Sequence, residues 1–124
     1  MRDVKNYLLD SSFIIDLVKG EDKAVQINRE IGLKALTSVI CFYELARYSE
    51  VISDKISEKE VVPFEKSDAM EAADIYRDLR QRGKMIGATD ILIGATARSR
   101  DCVLVTRDED FKKIEDLDIL FYDI

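Results

Sequence analysis

The chain has 124 residues, which suits one domain around one core over residues 1–124 and leaves no room for two ordinary domains. Hydrophobic residues make up 47% and charged residues 35%, with a single Pro and no low-complexity run, which excludes a disordered chain. The absence of His excludes every His-based zinc site and the commonest general base, and a net charge of −6 argues against binding nucleic acid through bulk positive charge.

In chain order, the start "MRDVKNYLLDSSFIIDL" sets Arg2 and Lys5 before apolar residues, as a secretory signal would. Asp10 and Asp16 interrupt that stretch and no small-residue cleavage site follows, so a signal peptide is not expected. No apolar run reaches the ~18 residues of a membrane span, and a cytoplasmic protein with no membrane contact is expected. Tyr7-Leu8-Leu9-Asp10 reads as a short buried strand, and "SFIIDLVKGED" as a helix with Gly20 near its end. "KAVQINREIG" is a second helix stopping at Gly32, and "KALTS" a second strand. "VICFYELARYSEVI" reads as one helix over residues 39–52 with Ser38 as N-cap, followed by the polar connection "SDKISEKE". "VVPFE" reads as a strand whose Pro63 places it at a sheet edge. A long amphipathic helix is expected from Ser67 to a stop at Gly83, then a nearly all-apolar helix over "ATDILIGATARSRD". "CVLV" is a strand, "DEDFKKIED" a short helix and "ILFYDI" the last strand. Cys41 and Cys102 each sit in an apolar run, far apart, which reads as two buried free thiols in a reducing compartment.

Strands alternating with helices or helix pairs predict a three-layer α/β/α sandwich around a parallel sheet of four to five strands. In such folds the first strand lies centrally and sites form beyond the carboxyl ends of the strands. Asp10 ends the first strand and Asp108 follows the strand Cys102–Val105, so both project from that edge. Crossover helices start at the same edge, which brings in Asp90 from the first turn of one and Glu44 from the first two turns of another.

Each acid alone has a plain structural explanation. Asp90, the only charge between Met85 and Ala97, suits the positive end of a helix dipole. Asp10 suits an N-cap, Asp108 a cap for the short helix after it, and Asp110 a first-turn dipole residue. Glu44 has Arg47 three residues on, which suits a surface ion pair. The conjunction is harder to explain away. Two carboxylates ~5 Å apart repel by ~3 kcal/mol at an effective dielectric of ~20, so four need a balancing cation or protons. With no His and no paired Cys, an all-oxygen site favours Mg2+ or Mn2+ over zinc.

"LLDSS" around Asp10, "FYEL" around Glu44, "TDILIGATA" around Asp90 and "LVTRDEDF" around Asp108 resemble the motifs of PIN domains, and most of all those of the small VapC-type toxins of toxin–antitoxin pairs. The resemblance spans essentially the whole chain, with the four motifs in order. It implies a Mg2+- or Mn2+-dependent endoribonuclease with Asp10, Glu44, Asp90 and Asp108 as metal-binding, catalytic acids. Ser11, Ser12 and Thr106 match polar positions of the family beside those acids, and Asp110 fits a more variable accessory acid. The resemblance also implies an RNA substrate cut to 5′-phosphate and 3′-hydroxyl ends, a small antitoxin partner and a homodimer.

How an acidic chain holds RNA is a separate question. "YRDLRQRGK" supplies Arg77, Arg80, Arg82 and Lys84 ahead of the Asp90 helix, and Arg47 and Arg107 lie near two of the acids. The same cations also suit a helix C-terminus. Three other readings stand beside the toxin. A PIN nuclease that matures cellular RNA has the same sequence features. A catalytically silent PIN-like binding module conflicts with the intact acids. A receiver-like module needs a phospho-acceptor Asp ending the third strand and a late Lys, but Asp54 falls in a polar loop and Arg107 takes the place of Lys.

Overall fold

Short runs rich in Leu and Val become strands here because neighbouring residues face opposite layers of helices, and both layers are apolar. In the computed structural model, which describes residues 5–124, β1 (Tyr7–Leu9), β2 (Ala35–Ser38), β3 (Glu60–Val62), β4 (Val103–Thr106) and β5 (Ile119–Phe121) form one sheet. All neighbouring pairs are parallel, in the order β3-β2-β1-β4-β5. Central β1 sets Tyr7 against Ala35 on one side and Val103 on the other. Arg2, read above with Lys5, lies outside the described residues.

Among the described residues, six α-helices cover the two faces: α1 (Ser11–Val18), α2 (Asp22–Ile31), α3 (Val39–Ala46), α4 (Glu50–Ile56), α5 (Lys66–Arg82) and α6 (Ala88–Ser99). Leu8, Leu36 and Leu104 pack on one face with Ala72, Ile75 and Leu79 of α5 and Ile91, Ile93 and Ala95 of α6. Leu9 and Val105 pack on the other with Phe13 and Ile14 of α1, Ala24 and Ile31 of α2, and Ile56 of α4. The period-two alternation of Leu8 with Leu9, and of Leu104 with Val105, therefore builds two separate cores. Cys41 and Cys102 are both buried and free. No helix among the described residues is long and apolar enough to cross a membrane.

The structure corrects several boundaries. The helix expected over residues 39–52 breaks after Ala46, and α4 takes up much of the expected polar connection. Ser49 causes the break: its backbone is extended, and its hydroxyl accepts the Ile52 N–H at 3.3 Å, capping a new helix. β3 ends at Val62, so Pro63 lies just past the edge strand rather than within it. The long helix starts at Lys66, where Glu65 and Asp68 form a capping box, and stops at left-handed Gly83 as expected. The segment after β4 is a 3-10 turn, Glu109–Lys113, rather than an α-helix.

From β1 the chain moves outward through β2 to β3, then returns over α5 and α6 to β4 on the other side of β1. The order reverses between β1 and β4, and the carboxyl ends of these two strands open the crevice in which such sheets form their sites.

Candidate metal centre

Asp10 sits at the end of β1, where its N–H donates to the Val105 carbonyl of β4 at 3.0 Å. Its carboxylate makes no capping bond to α1. It is only 4% exposed and accepts hydrogen bonds from Thr106 Oγ1 at 2.7 Å and Ser12 Oγ at 2.9 Å. Burial pushes this carboxyl above its ordinary range, against the pull of those hydroxyls and the Ser11 N–H, with a further push from the charge of Asp108.

Thr106 also accepts the Asp108 N–H at 3.0 Å, so one hydroxyl joins the acid after β1 to the acid after β4. Asp108 in turn accepts the Asp110 N–H at 2.9 Å, starting the 3-10 turn. Glu44, in the second turn of α3, accepts from Ser11 Oγ at 2.8 Å. Serines 11 and 12 thus orient acids from two different elements. Cys41 lies among these groups as a fully buried thiol, which burial pushes up to about 12, far from the range of a reactive thiolate.

Asp90 lies in the first turn of α6, whose N-cap position is Gly87. Carboxylate oxygens of Asp90, Asp108 and Asp110 lie within 4.8 Å of one another. Asp10 and Glu44 stand beside this trio rather than in it. Burial and then the charges of Asp108, Asp10, Glu44 and Asp110 push the Asp90 carboxyl up to about 7. All five acids singled out in the sequence are therefore felt at one point, and Asp110, expected as an accessory, belongs to the tightest part of the cluster.

Other buried acids show why this cluster is unusual. Asp16 is 2% exposed, but Arg107 reaches it with Nε at 2.6 Å and Nη2 at 3.2 Å, and the Tyr122 hydroxyl donates at 2.6 Å. Asp68 is fully buried with Arg100 at 2.9 Å and the Ser99 hydroxyl as a second donor. Each of these acids has an arginine. The influences on Asp90 all raise it, and none is a cation. A lone acid in an apolar run is the signal that marked Asp90, and "FIIDLV" carries it too. Sequence reading passed over Asp16 because its partners come from 91 and 106 residues away.

Several cations do not do what the sequence suggested. Arg47 makes no ion pair with Glu44 among the described residues; its guanidinium lies over the rings of Tyr43 and Tyr48. Arg77 pairs with Asp74, and Arg82 with Asp78 and Glu115, while also donating to the Lys113 carbonyl at 2.7 Å. Arg107 serves Asp16.

The PIN domain family matches residues 7–117. "Ribonuclease VapC2" of Haemophilus influenzae is 28% identical over 120 residues, covering 87% of this chain and 91% of that protein. Among solved structures, VapBC2 from Rickettsia felis, bound to a DNA fragment from its promoter, matches with a TM-score of 0.83 at 25% identity, covering 94% of this chain and 98% of that one. DNA-bound VapBC from Salmonella typhimurium matches in fold with a TM-score of 0.84 at 23% identity, covering 95% and 98%.

Proposed function

The chain belongs to the PIN domain family, and from that premise we propose that it is a divalent-metal-dependent endoribonuclease, the toxin of a toxin–antitoxin pair. One observation carries the reading: Asp90, Asp108 and Asp110 bring their oxygens within 4.8 Å, the one ion pair on them among the described residues is Lys113 with Asp110 at 3.1 Å, and Asp90 is driven to about 7.

The donor set fits a hard cation. Every candidate ligand is a carboxylate oxygen, and hydroxyls or main-chain N–H groups already orient Asp10, Glu44 and Asp108. Asp10, Glu44, Asp90 and Asp108 would hold the ion, with Asp110 assisting. Mg2+ or Mn2+, when bound, supplies a Lewis acid that acidifies water and offsets the charge gathering on the phosphate in hydrolysis. The chain's own residues do the positioning. Thr106 and Ser12 fix Asp10, Ser11 fixes Glu44, and Thr106 anchors the main chain at Asp108. Without a cation, Asp90 near pKa 7 holds a proton for part of the time at neutral pH.

The toxin assignment draws on the relatives named ribonuclease VapC and on the VapBC complex of similar fold. Such a toxin works in the cytoplasm, as a homodimer and with a small protein partner. An open apolar groove lined by Ile14, Leu17, Val18 and Ile56 and rimmed by Lys55 and Lys59 supports a partner with an apolar segment.

The test is cleavage of single-stranded RNA by the purified chain. Cleavage should need Mg2+ or Mn2+, stop with EDTA, and vanish in Asp90→Asn. Undiminished cleavage in EDTA would defeat the reading.

A further inference from the structure

In the expected basic segment Arg77 and Arg82 are engaged with acids, which leaves Arg80 and Lys84 as its cations without an ion pair among the described residues. A different surface next to the acids has the right chemistry. Tyr43 and Tyr48 are 61% and 77% exposed, although large aromatic side chains gain most from burial. The Arg47 guanidinium lies 5.4 Å from the centroid of one ring and 5.1 Å from the other, within cation–π range. Arg47 makes no ion pair among the described residues, so its charge is open to an anion. Tyr43 and Arg47 stand four apart at the end of α3 and share a helix face. Tyr48 joins them because the chain leaves the helix there, at the break that Ser49 sets.

The location matters as much as the composition. Tyr43 immediately precedes Glu44, and Arg47 follows Glu44 by three residues, roughly 4.5 Å along the helix axis. Two of the three residues therefore share the helix turns that carry Glu44, the member of the acidic site that α3 supplies. The trio combines two phenol rings with a guanidinium, unlike the aliphatic groove of α1 and α4. A planar cation over two exposed rings, in a chain of net charge −6, complements a polyanion with planar bases better than it complements an apolar protein face.

Resting on the ribonuclease reading, we propose that Tyr43, Arg47 and Tyr48 form a stacking platform for unpaired bases of single-stranded RNA beside the cleaved phosphate. The open faces of Tyr43 and Tyr48 take the bases, and Arg47 holds the rings in place while facing the backbone. The platform selects single strands, since bases inside a duplex are already stacked on each other.

The experiment first establishes that the parent chain cleaves a labelled single-stranded RNA; no cleavage defeats the ribonuclease reading itself. Affinity for that RNA, and for the duplex of the same sequence, is then measured by anisotropy in an Asp90→Asn background, with sedimentation run in parallel. Tyr43→Ala and Tyr48→Ala should each weaken single-strand binding about ten-fold, while Tyr43→Phe and Tyr48→Phe stay within about two-fold because the ring face is kept. Duplex affinity should not move, and neither should the sedimentation coefficient. Unchanged single-strand affinity in the Ala variants, in a chain whose parent cleaves RNA, overturns the platform. So does an equal loss on the duplex. A change of oligomeric state in the Ala variants also overturns it, by placing the rings between two copies of the chain.

Discussion

Asp90 differs from the buried acids Asp16 and Asp68 in having repulsion where they have arginines. Its carboxyl is raised from 3.8 to about 7, chiefly by burial and then by its acidic neighbours. A carboxyl with a raised folded-state pKa contributes stability that is fully present below the unfolded value and is lost as pH rises through the folded one. For Asp90 that window runs from about pH 4 to just above pH 7. In EDTA, Asp90→Asn should melt close to the parent at about pH 5 and above it at about pH 8, because the amide cannot ionise. A divalent ion should then raise the melting temperature of the parent and leave the variant nearly unmoved. Thermal melts over that pH range decide the matter. A variant less stable at every pH would mean that Asp90 serves chiefly to start α6. The position of Asp90 was legible because a lone charge in "ATDILIGATA" needs a reason. Its proximity to Asp110 was not, since that depends on the 3-10 turn that Asp108 starts by accepting the Asp110 N–H.

Between elements, the pair Asp16–Arg107 ties α1, which begins beside Asp10, to the segment that carries Asp108. Burial acts to raise the Asp16 carboxyl, but hydrogen bonds from Arg107 and Tyr122 and the Arg107 charge outweigh it and hold the carboxyl below the usual range. Asp16→Ala should cost roughly 2–4 kcal/mol at neutral pH, near the lower end for a broken buried pair because Arg107 stays partly exposed. A lowered carboxyl contributes stability above its unfolded pKa and loses it as pH falls through the folded value, so the gap between parent and variant should narrow in acid. Denaturant melts at neutral and acidic pH measure both effects, and a neutral substitution would show the tie to be idle. The strands and the α5 and α6 helices were readable because each has a local signal, such as "VLV" or the Gly83 stop. The break between α3 and α4 was not. Leu45, Ile52 and Ile56 keep the spacing of one continuous helix face, and only the Ser49 hydroxyl decides that the chain turns. The Arg82 contacts divide in the same way: the pair with Asp78 is a local i, i+4 spacing, whereas Glu115 meets Arg82 only through the tertiary fold.

At the scale of the whole molecule, one sheet edge collects five acids from β1, α3, α6 and the turn after β4, and the chain as a whole carries −6. An acidic edge of this kind repels RNA until a divalent ion reverses its sign locally. The parallel order, with β1 between β2 and β4, makes that collection possible, since Asp10 and Asp108 leave adjacent strands at the same end. The central claim is that these acids work as one ion-holding unit, and losses within a unit do not add. Single-turnover RNA cleavage in saturating Mn2+ by Asp10→Ala, Asp108→Ala and the double variant tests that claim most directly. The account predicts that either single substitution removes nearly all the activity the double one removes. Losses that multiply independently, with each single variant keeping substantial cleavage, would contradict it.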